Sequence, residues 1–265
     1  MPGDNDKHMS GAPRTLAVDI GGSGIKALLL DEAGNPLTTR ARVKTPDPAT
    51  PAAILEVIAD LAKAKGAFDR VSVGFPGVVQ HGIVKTAPHL DQSWTNYKLA
   101  QALTKLLKKP VRVMNDADMQ GFGAITGRGV ELVITLGTGF GSALFVDGML
   151  VPNLEMGHHS FRRDKTYDQQ LNKAALKKVG EAKWNKRLGR AIKTLDLLFN
   201  YDQMYLGCGN TKYITIAVPP NVKIVPNEAG LFGGIALWQK HPVRPRLRRS
   251  RKVKAAVKAT ESIPA

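Results

Sequence analysis

Cysteine is nearly absent from this chain, which has one such residue, Cys208, in 265. A single thiol cannot form an internal disulfide, and no cluster of Cys and His residues has the spacing of a zinc site. The sequence therefore excludes a disulfide scaffold and a structural zinc domain. Because unpaired cysteine is typical of proteins kept in a reducing compartment, we expect a cytoplasmic protein.

Long apolar runs are also missing, since no stretch approaches the roughly 18 apolar residues of a transmembrane helix. The N-terminal segment MPGDNDKHMSGAPR is polar and lacks the apolar core of a secretory signal. We therefore predict a disordered leader over residues 1–14 and no association with a membrane. The apolar fraction of 43% still allows a sizeable core, so the length predicts one large or two small domains.

Acidic residues are scarce, because 22 Asp and Glu stand against 38 Lys and Arg, which gives a net charge of +16. Two segments hold the excess: residues 240–265 contain nine basic residues and one acid, and residues 162–193 contain eleven and three. Such surfaces attract nucleic acid, membranes or polyanionic small molecules, although a charge-rich helix is often only a solvated face. We predict a basic disordered tail over residues 241–265.

A glycine-rich hairpin near the start is the most informative stretch. Residues 16–30, LAVDIGGSGIKALLL, have the pattern strand, glycine turn and strand. Backbone N–H groups in such a turn can approach an anion closely, and Ser23 and Lys26 add a hydroxyl and a positive charge. Asp19 ends the first strand, where its carboxylate could hold a divalent cation. An ordinary glycine hairpin is the alternative.

A second turn repeats this pattern. Strand residues 131–136 lead into GTGFG at 137–141, and another strand follows over residues 142–146. Thr138 supplies the hydroxyl of this turn. Two such turns in one chain predict two halves of similar design that hold opposite sides of a phosphate chain.

Polar residues follow the predicted strand 111–114, which delivers Asn115 and Asp116 to its C-terminal end. This end of a strand faces the ligand crevice of an α/β sheet, so Asp116 is a candidate general base. The other interpretation is an N-cap of the following helix, residues 117–125, and the two roles are compatible. Further on, EMGHH at 155–159 places an acid and two histidines in a loop suited to a polyhydroxyl ligand.

The remaining helices are predicted from caps and apolar periodicity. Thr50 caps a helix that Gly66 ends, and Thr166 with Gln169 forms a capping box. We predict helices over residues 51–65, 97–108, 167–178, 181–200 and 231–239. Trp94 lies in a polar loop, where packing is a more common role than binding.

Together these motifs resemble one family. DIGGSGIK, FPG, VMNDAD, LGTGFG, EMGHH and LGCGN occur in the order found in the ROK sugar kinases, within the actin/hexokinase/Hsp70 superfold. The resemblance covers residues 15–239 and is specific as a set. More narrowly, TAPHLDQSW, EMGHHSFRRDKTYDQQL and NEAGLFGGIALW are similar to the polyphosphate-dependent glucokinases, the branch that includes the polyphosphate/ATP glucomannokinases.

The resemblance implies a two-domain α/β fold of the actin/hexokinase-like (ribonuclease H-like) type that closes over a sugar. Residues 15–115 would form the N-terminal domain, completed by a C-terminal helix at about 228–240, and residues 116–227 the C-terminal α/β domain. A homodimer is also implied.

The same resemblance assigns the site residues. Asp116 matches the catalytic base, and Asp19 lies near Mg²⁺. The sugar-contacting positions are Gly77, Asn115, Asp116, Glu155 and His158. The phosphate-binding positions are Gly21, Gly22, Ser23, Gly24, Lys26, Gly137, Thr138, Gly139 and Gly141. The nucleoside-binding positions, if ATP is used, are Gly209 and Asn210.

Three departures from the family pattern bear on function. His158 is followed by HSFRRDK, without the cysteines of the zinc motif found in the larger ROK group. Cys208 stands where a third glycine is expected, and its side chain could crowd an adenine. The fourteen residues before the first strand are too few for the helix-turn-helix of the family's repressors.

The resemblance therefore predicts a polyphosphate-dependent glucokinase that transfers a terminal phosphoryl group from inorganic polyphosphate to the 6-hydroxyl of glucose, giving glucose 6-phosphate. ATP is a second candidate donor and mannose a second candidate acceptor. We expect polyphosphate to bind a basic track formed by Arg162, Arg163, Lys165, Lys173, Lys177, Lys183 and Arg187. The alternatives are a strictly ATP-dependent glucokinase or mannokinase, and a non-catalytic regulator that binds nucleic acid through the basic tail.

Overall fold

The computed structural model describes residues 11–225 and 229–239, which form two α/β lobes. The predicted tail and most of the predicted leader lie outside these residues. The elements of the first lobe, in chain order, are β1 (Thr15–Gly21), β2 (Gly24–Leu30), β3 (Ala41–Val43), α1 (Pro51–Lys65), β4 (Arg70–Phe75), β5 (Val79–Gln80), β6 (Ile83–Val84), α2 (Leu99–Leu107) and β7 (Val111–Asn115).

Five of these strands form one sheet in the order β3-β2-β1-β4-β7. The three strands at one side are antiparallel, and β1, β4 and β7 are parallel. Alternate residues of β1 point to opposite faces: Leu16 and Val18 pack with Ile54 and Ile58 of α1, whereas Ala17 packs with Leu231. Both faces of the sheet are therefore covered.

Local signals set the ends of the first-lobe elements. The side chain of Thr50 accepts a hydrogen bond from the Ala53 backbone N–H, which caps α1 as predicted. The helix ends at Gly66, whose φ of 81° is the left-handed conformation that glycine adopts at little cost. Trp94 is fully buried, and its indole N–H donates to the Ala49 carbonyl oxygen at 2.8 Å, so its role is packing.

The second lobe repeats the design of the first. Its elements, in chain order, are α3 (Asp116–Phe122), β8 (Val130–Leu136), β9 (Phe140–Val146), β10 (Met149–Val151), β11 (Ser160–Arg162), β12 (Lys165–Thr166), α4 (Tyr167–Leu171), α5 (Lys173–Val179), α6 (Glu181–Phe199), β13 (Gln203–Gly207) and β14 (Val222–Ile224). The sheet order is β10-β9-β8-β13-β14, with the same antiparallel and then parallel pairing. The two glycine turns thus occupy equivalent positions in two similar sheets.

Two helix predictions for this lobe need correction. The predicted helix 167–178 is two helices, because the side chain of Asn172 accepts from the Ala175 N–H and starts α5 as a new helix. The predicted helix 117–125 ends at Phe122, where Gly123 follows. In α6, Trp184 and Leu188 are buried as expected, but Leu198 is 54% exposed and lies off the buried face.

The start of α3 also differs from one of the two interpretations of Asp116. The N-cap is Asn115, whose side-chain oxygen accepts from the N–H groups of Ala117 and Asp118 at 2.8 and 3.1 Å. Asp116 is the first residue of the helix. Its carboxylate is therefore not needed as the cap.

The chain returns to the first lobe through α7 (Ala229–Phe232) and a 3₁₀ helix over Gly233–Trp238. The single α-helix predicted over residues 231–239 is thus wrong for most of its length. A side chain at Gly233 would overlap the Met119 carbonyl oxygen, so glycine allows this segment to lie against α3. Ser72 Oγ donates to the Gly234 carbonyl oxygen at 2.6 Å and holds the segment on the first sheet.

Among the residues that the structure describes, no helix is both long enough and apolar enough to cross a membrane.

Candidate active site

A cleft of about 1050 Å³ lies between the two lobes. Its wall includes every residue that the sequence assigns to the sugar, the phosphates, the nucleoside and the metal. The residues come from the strand ends and turns of both sheets. The tertiary structure thus brings together groups that are up to about 190 positions apart in the chain, as the ends of parallel strands do in open α/β sheets.

The two glycine turns meet across the cleft. Ser23 Oγ and Thr138 Oγ1 are 2.8 Å apart, which is a hydrogen bond between the lobes. Gly141 is the second residue of β9, and a side chain there would overlap Thr135 Oγ1. The Gly141 N–H donates to that oxygen at 3.1 Å, which fixes the shape of the turn.

Beside the first turn, Asp19 and Lys26 form an ion pair. They are cross-strand partners in the β1–β2 hairpin, and Lys26 Nζ donates to Asp19 Oδ2 at 2.7 Å. Burial is the largest single influence and lowers the pKa of Lys26, but the charge of Asp19, its hydrogen bond and the charge of Cys208 together raise the pKa above the usual value. The ammonium group is therefore charged at neutral pH.

Asp116 lies at the junction of β7 and α3, on the floor of the cleft. Loss of water around its carboxylate, followed by the negative charge of Asp19, raises its pKa to about 8. The charges of Glu155 and Asp118 act in the same direction, and a hydrogen bond from the Ala117 N–H at 2.8 Å opposes them. A carboxylate with a pKa near the working pH is well suited to accept a proton in catalysis.

Three polar side chains form a connected set next to Asp116. Asn115 Nδ2 donates to the Gly77 carbonyl oxygen at 3.2 Å and to Glu155 Oε1 at 3.4 Å. His158 Nε2 lies 3.4 Å from Glu155 Oε2. Burial raises the pKa of Glu155, and the nearby histidines His158 and His89 oppose this. The set offers donors and acceptors for several hydroxyl groups.

Two further groups near the site were not found from the sequence. Asp118 is 1% exposed, its Oδ2 accepts from the Asn153 N–H, and burial raises its pKa to about 7. His89 lines the cleft, and its Nε2 lies 3.8 Å from Asp168 Oδ1 in the other lobe. The position of His89 in the polar loop before Trp94 was the available signal for it.

Comparison with known proteins decides the family. The model of the ROK family matches residues 15–170. This chain belongs to the ROK family. It is 32% identical over 234 residues to the polyphosphate glucokinase of Mycobacterium tuberculosis strain H37Rv. The aligned region covers 82% of this chain and 88% of that protein.

Two crystal structures are also similar to this chain. The inorganic polyphosphate/ATP-glucomannokinase from Arthrobacter sp. strain KM has a TM-score of 0.79 and 34% identity, over 86% of this chain and all of that one. A ROK family glucokinase from Streptomyces griseus, in complex with glucose and AMPPNP, has a TM-score of 0.73 at 20% identity, over 84% and 98%. The two-lobed actin/hexokinase-like fold implied by the motifs is thereby confirmed.

Cys208, the departure from the ROK glycine run, adopts the backbone conformation of a glycine, with φ of 72°. Its Sγ donates to Gln120 Oε1 at 3.1 Å within the cleft. Burial, followed by the negative charges of Asp19 and Asp116, raises the pKa of the thiol to about 12. The thiol is therefore protonated and a weak nucleophile at neutral pH. The neighbouring Asn210 donates to the Gly137 carbonyl oxygen at 3.1 Å and supports the second glycine turn.

The structure divides the seven residues of the basic track by whether they line the cleft. Lys173 and Lys177 line the cleft, and the other five do not: Arg162, Arg163, Lys165, Lys183 and Arg187. Arg187 donates to the Gln170 carbonyl oxygen, and its pKa is lowered by burial and then by the charges of Arg162 and Arg163. Three cations of the cleft wall were missed from the sequence, namely Arg40, Arg42 and Lys212.

A magnesium ion is compatible with the residues at this site. In the described part of the chain, no group of three or more His, Cys, Asp or Glu side chains could hold a metal ion on its own. Mg²⁺ that accompanies substrate phosphates usually needs only one or two protein carboxylates and keeps several waters. Asp19 lines the cleft beside the first turn and fits the role of one ligand, with its Oδ2 shared with Lys26.

Proposed function

We propose that this ROK family member is a polyphosphate-dependent glucokinase, which transfers the terminal phosphoryl group of inorganic polyphosphate to the 6-hydroxyl of glucose and gives glucose 6-phosphate. The observation that carries the proposal is the half-buried carboxyl group of Asp116, whose pKa is raised to about 8 by loss of water, in a cleft walled by two facing glycine turns. A proton acceptor beside two anion-binding turns is what phosphoryl transfer to an alcohol requires.

In the proposed reaction, Asp116 accepts the proton of the sugar hydroxyl as that oxygen forms a bond to the terminal phosphorus. The bond from this phosphorus to the bridging oxygen breaks, and the shortened polyphosphate leaves. Lys26 and the N–H groups of both turns hold the phosphoryl oxygens, and Thr138 adds a hydroxyl donor. Mg²⁺ bound at Asp19 would neutralise charge on the phosphate oxygens. The catalytic contribution is mainly one of positioning and charge stabilisation, because the transition state of phosphoryl transfer is loose.

Glucose would be held by Asn115, Glu155 and His158, with the backbone at Gly77. The hydrogen bonds from Asn115 to Gly77 and Glu155 orient these groups before the sugar arrives. Closure of the two lobes over the sugar would exclude water, which otherwise competes as the acceptor. Mannose remains the second candidate acceptor.

Polyphosphate is proposed as the donor on two grounds. The relatives with the fuller match are named for polyphosphate, and Lys173 and Lys177 give the cleft wall a positive charge. ATP is the second candidate, since Gly209 and Asn210 line the cleft and a family member of lower identity was crystallised with AMPPNP. We also propose that the protein is a homodimer in the cytoplasm. Light scattering on the purified protein would test the dimer.

The decisive experiment crosses glucose and mannose with polyphosphate and ATP in one coupled assay. Under this proposal glucose with polyphosphate gives the highest kcat/KM of the four combinations. Turnover with ATP alone would instead establish the strictly ATP-dependent kinase. Absence of turnover with all four, in a folded protein that retains nucleic acid at moderate salt, would favour the regulator.

A further inference from the structure

A second concavity lies beside the cleft on the exposed side of α6. It measures about 560 Å³ and is bounded by α6 and by Ile216 and Ala217 of the segment before β14. Lys186, Arg190 and Lys193 line it. We call it the α6 groove.

The cations of the α6 groove form a row. Their spacing of four and three residues puts them on one face of the helix, opposite the buried Trp184 and Leu188, over about 10 Å of helix axis. The lining contains no Asp or Glu, and among the described residues none of the three cations is in an ion pair. Like charges at i and i+4 destabilise a helix, whereas solvated helix faces usually mix both signs. The row therefore suits an anionic ligand.

The α6 groove is connected to the cleft wall through one hydrogen-bonded residue. Asn185 lines the groove, and its Nδ2 donates to the carbonyl oxygens of Glu181 and Tyr213 at 3.0 and 2.8 Å. Both of these residues line the cleft. The same part of the cleft wall carries three more cations, Lys173, Lys177 and Lys212. One residue, Asn185, thus separates two cationic concavities.

We propose that the α6 groove binds the part of a linear polyphosphate chain that lies away from the reacting end. The chain leaves the cleft past Lys212 and Tyr213 and lies along Lys186, Arg190 and Lys193. This rests on the proposed function, because the reacting end is the donor of that reaction. The path differs from the basic track, since Arg162 and Arg163 line neither concavity.

Two other occupants fit the α6 groove less well. Single-stranded nucleic acid binds through aromatic side chains on which its bases stack, and the groove lining contains none. A second copy of this chain would need a wide apolar surface, but the apolar side chains of the lining are Leu197, Ile216 and Ala217, and they lie beside a row of three like charges. A polymer of phosphate groups needs only the cations.

The test compares two triple variants that each lose three exposed lysine or arginine charges. The groove variant is Lys186→Gln, Arg190→Gln and Lys193→Gln. The control is Lys63→Gln, Lys98→Gln and Lys105→Gln in the first lobe. With long-chain polyphosphate, the groove variant should have a KM about tenfold higher than wild type, and the control a KM within about twofold. With tripolyphosphate, both should stay within about twofold, because a short donor does not reach the groove.

An unchanged KM for long-chain polyphosphate, or the same rise with both donors, would overturn the α6 groove as the distal site. A groove variant that changes from dimer to monomer at unchanged KM would assign the surface to a second copy. If the wild type uses ATP but no polyphosphate, the proposed donor fails, and equilibrium binding of long-chain polyphosphate is then measured directly. Equal affinity of the groove and control variants in that measurement would overturn the groove by itself.

Discussion

At the scale of single residues, three carboxyl groups in and beside the cleft are marked by their removal from water. Asp116, Asp118 and Glu155 all have raised pKa values, and burial is the largest cause in each case. Asp19 differs, because Lys26 neutralises it at 2.7 Å. Under the proposed function, Asp19 lies beside the phosphate and the metal ion, whereas Asp116, with its raised pKa, exchanges a proton with the sugar hydroxyl.

The base role of Asp116 predicts a pH dependence. Only the ionised carboxylate can accept a proton, so kcat/KM should fall about tenfold per unit as the pH is lowered below the Asp116 pKa of about 8, and level off above it. Asp116→Asn should lower kcat by about 10²–10⁴-fold while glucose affinity, measured by calorimetry, stays within about threefold. A variant that keeps a tenth of the activity would show that another group is the base.

Asp118 predicts a pH-dependent stability. Its pKa rises from 3.8 to about 7 on folding, so the folded state holds more protons between these values and is destabilised as the pH rises through that window. Asp118→Asn should therefore raise the free energy of unfolding at pH 8 by about 1–3 kcal/mol, with little change near pH 4. Urea unfolding at both pH values measures this. Asp60→Asn, on the exposed side of α1, is the matched control and should show no such difference.

At the scale of elements, the junction between α4 and α5 supports the second glycine turn. Asn172 caps α5, and its Nδ2 donates to Asp168 Oδ2 at 3.2 Å. Asp168 Oδ1 accepts from the Phe140 N–H at 2.8 Å, next to that turn. The Lys173 N–H donates to the Gly137 carbonyl oxygen at 2.9 Å. The residues at the junction of α4 and α5 thus hold the second glycine turn of the site.

From this arrangement we expect the Asn172 cap of α5 to affect binding of the phosphate donor. Asn172→Ala and Thr50→Ala each remove a side-chain cap, so each should lower the free energy of unfolding by about 1 kcal/mol. Only Asn172→Ala should also raise the KM for the phosphate donor, because α1 packs on the sheet of the first lobe. Chemical unfolding and donor titration of both variants give the two readouts. A similar donor KM in both variants would contradict the coupling.

At the scale of the whole molecule, two sheets of one design place their glycine turns face to face. The turns meet through Ser23 and Thr138, and His89 of the first lobe approaches Asp168 of the second at 3.8 Å. These contacts join the two lobes across the cleft, whose wall contains Asp116 and several cations. We therefore expect cations of both lobes to attract an anionic donor into the cleft.

The placement of the cations predicts which of them act on the donor. Lys177 lines the cleft and Lys183 does not, although both belong to the basic track. Lys177→Glu should raise the KM for polyphosphate by about tenfold at low salt, and the effect should shrink as salt is added. Lys183→Glu should have the smaller effect. Donor titrations at two ionic strengths measure both, and equal effects would show that the cleft wall does not select among these lysines.

Much of this protein was determined by its sequence alone, where the physical cause is local. The two hairpins follow from apolar runs on either side of glycine turns, and the cap of α1 follows from Thr50 and Pro51. The order of the motifs identified the family. The position of Asn115 and Asp116 at the end of a predicted strand indicated that they belong to the site. Such signals need only neighbouring residues, so they can be read without the fold.

Only the tertiary structure decided the properties that depend on distant neighbours. The raised pKa of Asp118 needs the burial of its carboxyl group in the folded chain, and the approach of His89 to Asp168 needs the two lobes to meet. Which lysines reach the cleft depends on the direction of each helix face relative to the gap between the lobes. Burial and electrostatic energy both depend on distance in space, and the order of residues along the chain does not contain that distance.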